Sequence, residues 1–146
     1  MLITTNSTEE TKELAEDFAK KLKGGEILAL KGDLGSGKTT FVQGLARELK
    51  IKERITSPTF VILNLHQADK GLSLAHFDLY RLKDEVDLEG IGATDYLGKK
   101  NIISVIEWPE KAKKLLPKNT IWINFDHLDE NKRKITIENE KFSFNY

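Results

Sequence analysis

The sequence predicts an α/β fold, a single domain of three layers in which helices cover a mixed, partly parallel sheet. Helical and strand-like hydrophobic patterns alternate along its 146 residues. Between the first strand pattern and the next helix pattern, residues 32–39 read GDLGSGKT. This is a complete G-x-x-x-x-G-K-[ST] phosphate-binding loop, which belongs between a buried strand and a helix. We therefore expect a P-loop NTPase fold, and a chain of this length has room for one domain over residues 1–146.

The elements before the phosphate-binding loop are a helix and a strand. Ser7 and Glu10 have the spacing of a capping box, and apolar residues follow at i, i+4 and i+8: Leu14, Phe18 and Leu22. This pattern predicts a helix over residues 8–23, which the pair Gly24-Gly25 stops. The short apolar run at residues 27–30 predicts a buried strand that leads into the loop.

A helix and three strand-like runs follow the loop. Apolar residues recur at helical spacing after it: Phe41, Val42, Leu45, Ala46 and Leu49. Pro58 keeps Ser57 extended ahead of a strand-like run at residues 60–65, which ends at a turn around residues 69–71. The second run, residues 74–77, stops at Asp78. The third, residues 102–106, stops at Glu107.

The remaining segments are shorter. Residues 83–89 form a charged stretch that predicts a solvated short helix, and residues 110–116 predict a brief basic helix that Pro117 ends. Alternating residues at 121–125 predict a strand with two unlike faces. Ile135 and Ile137 begin its hairpin partner across a turn at residues 129–131.

The amino-acid composition excludes several classes of function. The 23 basic residues balance 23 acidic ones, and the pI is near 6.8, so no global field attracts a nucleic acid or an anionic membrane. The absence of cysteine excludes disulfides, thiol catalysis and cysteine-based zinc sites. The first residues lack the features of a signal peptide, and no run approaches membrane-spanning length. We expect a cytoplasmic protein with no membrane contact.

The loop supplies most of a nucleotide site. Its backbone N–H groups are expected to surround the β-phosphate: Gly35, Ser36, Gly37, Lys38, Thr39 and Thr40. The Lys38 ammonium would bridge the β- and γ-phosphates and act in catalysis, and the Thr39 hydroxyl would ligate Mg²⁺.

A carboxylate is needed at the end of a strand near the loop, where open α/β sheets bind their ligands. Asp78 and Glu107 both qualify. Glu107 follows the more apolar strand and suits the metal, while Asp78 suits the polarisation of an attacking water, although sequence alone permits the opposite assignment. His76 would share the sheet face of Asp78, but a lone histidine is more often a packing or hydrogen-bonding residue.

Other candidates carry a weaker signal. Three arginines can each supply a cationic finger, although a surface position is the commoner role: Arg47, Arg54 and Arg81. Trp108 either packs on the site or fills the core. Thr59 has the chemistry of a γ-phosphate sensor, or it is a turn hydroxyl.

The base preferred by the site is adenine. Guanine selection usually needs an N-K-x-D sequence, and here Asn131-Lys132 is followed by Arg133-Lys134. The D-x-x-G pattern at residues 87–90 follows a charged stretch instead of a buried strand. ATP is therefore the expected nucleotide.

Four motifs in order resemble the TsaE (YjeE) family of small P-loop ATPases. They are GDLGSGKTT at residues 32–40, SPTF at 57–60, HFDLYRL at 76–82 and VIEWPE at 105–110. The resemblance spans about residues 8–133. One departure is Ser36, where many relatives are expected to have alanine, and this small-for-small exchange should not disturb phosphate binding.

The resemblance implies an ATPase required for threonylcarbamoyladenosine modification of bacterial tRNA. By similarity, Thr39 and Glu107 would hold Mg²⁺, Asp78 would serve hydrolysis, and the SPTF segment with Thr59 would be a mobile switch. Thr8 and the stretch around Asn131 would flank the adenine, by position alone. The implied partners are TsaD-like and TsaB-like proteins, with tRNA reached indirectly through them.

Two other functions fit the same loop. A small-molecule kinase normally adds a lid with catalytic arginines, and residues 83–100 contain none. A nucleotide-binding switch with negligible turnover is the other. The sequence leaves the oligomeric state, the turnover rate and any direct tRNA contact open.

Overall fold

Seven strands form one sheet, with order β1-β7-β6-β2-β5-β4-β3. The computed structural model describes residues 1–56, 62–82, 89–90 and 92–139. The strands are β1 Leu2–Thr5, β2 Ile27–Lys31, β3 Leu63–Gln67, β4 Ser73–Asp78, β5 Ile102–Glu107, β6 Ile121–His127 and β7 Arg133–Glu138. The helices are α1 Thr8–Ala19 and α2 Lys38–Glu48, with 3₁₀ segments at Ala93–Asp95 and Pro109–Leu115.

The centre of the sheet is parallel and its edges are antiparallel. Strand β2 pairs in parallel with β5 on one side and β6 on the other, and β5 pairs in parallel with β4. The pairs β3–β4, β6–β7 and β1–β7 are antiparallel. The predicted mixed, partly parallel α/β sheet is confirmed, and the parallel strands lie next to the phosphate-binding loop.

Both faces of the sheet are covered, because strand side chains alternate between two apolar clusters. Helices α1 and α2 pack on one face, against residues such as Leu28, Leu74 and Val105. The second cluster lies on the other face and includes Ile27 and Ile106, together with residues of both 3₁₀ segments. This arrangement gives the three layers that the sequence predicts.

Gly44 sets the distance between the two helices. A Cβ built on this residue would lie 2.5 Å from the carbonyl oxygen of Lys12 and 2.6 Å from the Cβ of Ala15. Only glycine therefore allows α2 to cross α1 this closely.

The first helix is shorter than predicted. Ser7 caps it as expected, since its Oγ accepts the N–H of Glu10. The helix ends at Ala19 instead of Lys23. The amides of Lys23 and Gly24 donate to the carboxylate of Glu26, which draws the chain out of the helical path.

Some strand boundaries differ from the predicted ones, and strand β1 was not predicted from the sequence. β1 has no alternating pattern of its own and depends on pairing with β7. β3 ends at Gln67, two residues beyond the predicted end at Leu65, and residues 60–61 lie outside the described residues. The predicted basic helix is a 3₁₀ segment with a kink at Ala112. Of the charged stretch 83–89, only Glu89 is described.

None of the helices in the described part of the chain has the length and apolar character needed to cross a membrane. The single domain over residues 1–146 remains a prediction.

Candidate nucleotide-binding site

A cleft of about 410 Å³ opens at the carboxyl end of the parallel strands. The phosphate-binding loop forms its floor between β2 and α2, and the ends of β4 and β5 form one wall. Its lining residues are Thr8, Thr11, Leu34, Gly35, Gly37, Lys38, Thr39, Thr40, Ile62, Asp78, Tyr80, Arg81, Glu107, Trp108, Asn131 and Arg133. This is the edge at which open α/β sheets bind their ligands.

The two helices begin differently. The first turn of α1 contains Glu9 and Glu10, and Ser7 caps it. Helix α2 begins after Gly37, has no side-chain cap and has no acidic residue in its first turn. The first N–H groups of a helix have no partner within the helix, and its dipole favours negative charge there. The start of α2 is therefore suited to an anion.

The loop needs a left-handed backbone at two positions. Gly35 has a φ of 78° and Gly37 a φ of 106°, a region that residues with a Cβ rarely adopt. Open space surrounds a Cβ built on Gly35, so its requirement comes from the backbone angle alone.

Lys38 points its ammonium group into the site from the first residue of α2. Nζ donates to the carbonyl oxygen of Gly32 at 2.5 Å and lies 3.9 Å from the centroid of the Trp108 ring. Burial lowers the pKa of Lys38, while the carboxylates of Glu107, Glu110 and Asp78 act in the opposite direction. A buried cation beside carboxylates and an anion site fits the contact with phosphate predicted for it.

Glu107 ends β5 and is buried, with 2% of its surface exposed. Its Oε2 lies 2.6 Å from Nε2 of His76 on the neighbouring strand β4. A carboxylate can only accept, so the imidazole Nε2–H donates this hydrogen bond. Glu107 lines the cleft, whereas His76 is not part of the lining.

Asp78 ends β4 and pairs in register with Glu107. Its Oδ1 accepts the N–H of Tyr80 at 3.0 Å, which turns the chain at the end of the strand. The Tyr80 ring lies 5.0 Å from the ring of Trp108, centroid to centroid. Strand β5 is adjacent to the loop strand β2 and β4 is not, so Asp78 lies one strand farther from the loop than Glu107.

The wall opposite the two carboxylates comes from the turn between β6 and β7. The N–H groups of Asn131 and Lys132 donate to Oδ1 of Asp129, each at 2.9 Å. The guanidinium of Arg133 donates to the carbonyl oxygens of Asp129 and Gly35. Arg133 therefore joins this turn to the phosphate-binding loop.

Most of the residues predicted for the site line this one cleft: Thr8, Gly35, Gly37, Lys38, Thr39, Thr40, Asp78, Glu107 and Asn131. Ser36 belongs to the loop, but its side chain is buried and does not line the cleft. Thr59 and the SPTF segment lie outside the described residues.

The three candidate arginines differ in their position relative to the cleft. Arg81 lines the cleft, whereas Arg47 lies outside its lining and pairs with Glu9 and Glu16 on α1. Arg54 is exposed and is not part of the lining either. Sequence reasoning missed Arg133, which no motif marks, and left Trp108 undecided.

The donor chemistry fits Mg²⁺. Thr39 and Glu107 offer a hydroxyl and a carboxylate oxygen, and magnesium is bound by one or two such protein ligands together with water and phosphate oxygens. Among the described residues, no group of three or more His, Asp or Glu side chains forms a metal cage. The residues therefore fit a metal shared with a phosphate ligand.

Comparison with known proteins identifies relatives that match most of the chain. The model of the family described as "Threonylcarbamoyl adenosine biosynthesis protein TsaE" matches residues 5–135. The tRNA threonylcarbamoyladenosine biosynthesis protein TsaE of Aquifex aeolicus is 41% identical over 137 residues, which is 92% of this chain and 93% of that protein. The Bacillus subtilis protein of the same name is 37% identical over 133 residues, 91% of this chain and 82% of the relative.

A solved structure has the same fold. The crystal structure of Bacillus subtilis YdiB superposes with a TM-score of 0.75 at 32% sequence identity. The match covers 94% of this chain and 83% of that one.

Proposed function

This chain belongs to the TsaE family of threonylcarbamoyl adenosine biosynthesis proteins, and from that premise we propose that it binds and hydrolyses MgATP as an accessory ATPase of tRNA threonylcarbamoyladenosine modification. One observation carries the proposal. The Lys38 ammonium, the Asp78 carboxylate and the Glu107 carboxylate line one cleft at the uncapped beginning of α2.

The residues divide the work of phosphoryl transfer, which depends on positioning and on electrostatic stabilisation. The N–H groups at the start of α2 and the Lys38 ammonium bind the phosphates. Thr39 and Glu107 would hold Mg²⁺, which neutralises charge on the phosphate oxygens when it is bound. Asp78 orients the attacking water and accepts a hydrogen bond from it.

The second wall would hold the nucleoside. Thr8 at the start of α1 and Asn131 in the turn between β6 and β7 both line the cleft, and we assign the adenine to the space that they border. The guanidinium of Arg133 donates to the carbonyl oxygen of Gly35, so a hydrogen bond joins the proposed nucleoside wall to the phosphate-binding loop.

Hydrolysis serves partners in this proposal. The chain would support a complex of TsaD-like and TsaB-like proteins that carries out the transfer to tRNA in the cytoplasm. The net charge of zero supports an indirect relation to tRNA, because phosphate backbones are bound mainly through basic surfaces.

The test is to incubate the purified chain with ATP labelled in its γ-phosphate, with and without the two partners. Two products are measured: released inorganic phosphate and any metabolite that has received the labelled phosphate. We expect slow release of inorganic phosphate by the chain alone and no labelled metabolite. Transfer of the γ-phosphate to a metabolite would establish the kinase instead. Binding without measurable hydrolysis in either condition would establish the switch.

A further inference from the structure

Within the described residues, His76 forms a side-chain hydrogen bond with the candidate metal ligand Glu107. It lies in the middle of β4, and none of its surface is exposed. Its neighbours on this face belong to the apolar cluster beneath α1 and α2, among them Leu74 and Val105. An aliphatic side chain would suit such a position, so the imidazole requires an explanation.

The contacts of the imidazole ring explain why a histidine occupies this position. Nε2 lies 2.6 Å from Oε2 of Glu107, whereas Nδ1 is buried and has no hydrogen-bond partner in the described part of the chain. A buried polar atom without a partner costs free energy, about 1–3 kcal/mol in typical cases. In the described residues, Nδ1 of His76 thus stays without a hydrogen bond while Nε2 contacts Glu107.

The register fixes the direction of the bond. His76 pairs with Val105 and Asp78 pairs with Glu107, so the imidazole reaches diagonally toward the carboxyl end of β5. The bond occupies one carboxylate oxygen and leaves Oε1 available to a ligand in the cleft. It also favours one orientation of the carboxylate over others.

We propose that His76 is a positioning residue, which holds the Glu107 carboxylate in the orientation that binds Mg²⁺ with the nucleotide. The inference rests on the proposed function, since it assumes that Glu107 is the metal ligand. Partners of this kind, which hydrogen-bond a metal ligand from behind, typically change metal affinity about 10–100-fold when they are removed.

The chain offers a matched control. His66 in β3 also bonds a carboxylate through its ring, since its Nδ1 contacts Glu53, and neither residue lines the cleft. His66→Leu therefore removes a second histidine–glutamate contact, made by a histidine of the same sheet, without touching the site.

The experiment measures ATP binding by calorimetry as a function of Mg²⁺, and again in EDTA, for the parent, His76→Leu, His76→Gln and His66→Leu. We expect His76→Leu to raise the half-saturating Mg²⁺ concentration at least about tenfold, with unchanged affinity in EDTA. His76→Gln keeps an amide donor near the position of Nε2 and should restore most of the Mg²⁺ dependence. His66→Leu should match the parent.

The other possible results contradict either the positioning role or the proposed function. If His76→Leu folds and needs no more Mg²⁺ than the parent, the positioning role is wrong. If His76→Leu does not fold, His76→Asn replaces it, since its shorter amide cannot reach Oε2; Asn and Gln variants with equal Mg²⁺ dependence would then overturn the proposal. A parent chain that does not bind ATP, or binds it without regard to Mg²⁺, contradicts the proposed function itself.

Discussion

Trp108 covers the ammonium group of Lys38, whose Nζ lies 3.9 Å from the centroid of the indole ring. Cations over an indole ring are attracted by the negative face of the π-system. Trp108 adopts φ 58° and ψ 50°, a left-handed conformation that is an outlier for so large a residue and costs of order 1–3 kcal/mol. The strained backbone at the end of β5 therefore places the ring on the residue proposed to bind phosphate.

This contact predicts an optical signal. Phosphate in the cleft should draw the Lys38 ammonium toward it and change the environment of the Trp108 ring. We expect the tryptophan emission to change on ATP addition in the parent and in Trp122→Phe, which retains Trp108. Trp108→Phe retains only Trp122 on β6 and should show no change. An equal response in the two single-tryptophan variants would contradict the contact.

Lys38→Ala should abolish ATP hydrolysis and weaken ATP binding at least about tenfold, or about 1.4 kcal/mol. The variant loses a charge that acts on the phosphates while the apolar core keeps its packing. Calorimetric titration measures the affinity, and circular dichroism checks the fold. Lys31→Ala is the matched control, because Lys31 is exposed at the end of β2 and is absent from the cleft lining. A folded Lys38→Ala variant with parental affinity would remove the phosphate-binding assignment.

The two carboxylates should give different phenotypes. Glu107→Gln is expected to raise the Mg²⁺ concentration needed for nucleotide binding, because a neutral amide is a poor magnesium ligand. Asp78→Asn should bind MgATP nearly as the parent does but hydrolyse it at least about tenfold more slowly. Titrations of Mg²⁺ and single-turnover hydrolysis separate the two effects. Exchanged phenotypes would reverse the assigned roles.

Local sequence determined the parts of the site that lie on consecutive residues. The strand β2, the loop and helix α2 follow one another, and their apolar spacing and glycines are sufficient to predict them. The strand ends at Asp78 and Glu107 are visible for the same reason, since each polar residue stops an apolar run.

Contacts between distant segments could not be predicted in this way. Arg133 reaches Gly35 across 98 residues of sequence, and only the antiparallel turn between β6 and β7 brings them together. The left-handed backbone of Trp108 has no signature comparable to a glycine. Likewise β1 exists because β7 offers an edge, which no pattern within residues 2–5 records.

The turn between β6 and β7 should lose stability in acid. Two backbone hydrogen bonds, from Asn131 and Lys132, hold the pKa of Asp129 below its ordinary value. A carboxyl whose pKa is lowered by folding stabilises the protein above its unfolded pKa, about 3.9, and this contribution disappears as the pH falls through the folded pKa. Asp129→Asn should therefore melt below the parent at pH 6, and the difference between the two melting temperatures should narrow as the pH falls from about 4 toward the folded pKa of Asp129.

Thermal unfolding between pH 3 and pH 6 checks this expectation. Asp126→Asn is the control, since Asp126 is an exposed residue of the same hairpin. The difference in melting temperature between the parent and Asp129→Asn could instead stay constant from pH 3 to pH 6. This result would show that the two hydrogen bonds do not depend on the negative charge of Asp129.

Nucleotide state should control binding to the partner complex. Ile62 lines the cleft and lies two positions after residues 57–60 in the sequence, the segment predicted as a switch. If ATP fixes this segment in one conformation, a partner that recognises that conformation binds more tightly. By linkage the partner then tightens ATP binding by the same factor, typically about 5–150-fold.

The measurement is partner affinity with ATP, with ADP and without nucleotide, followed by ATP affinity with the partner present. We expect the two ratios to agree, because coupling free energy is the same from either side. Thr59→Val should reduce both ratios together if Thr59 senses the γ-phosphate. Equal partner affinity in all three nucleotide states would refute the switch and leave the ATP site intact, since Lys38, Glu107 and Asp78 bind and hydrolyse the nucleotide without the partner in this proposal.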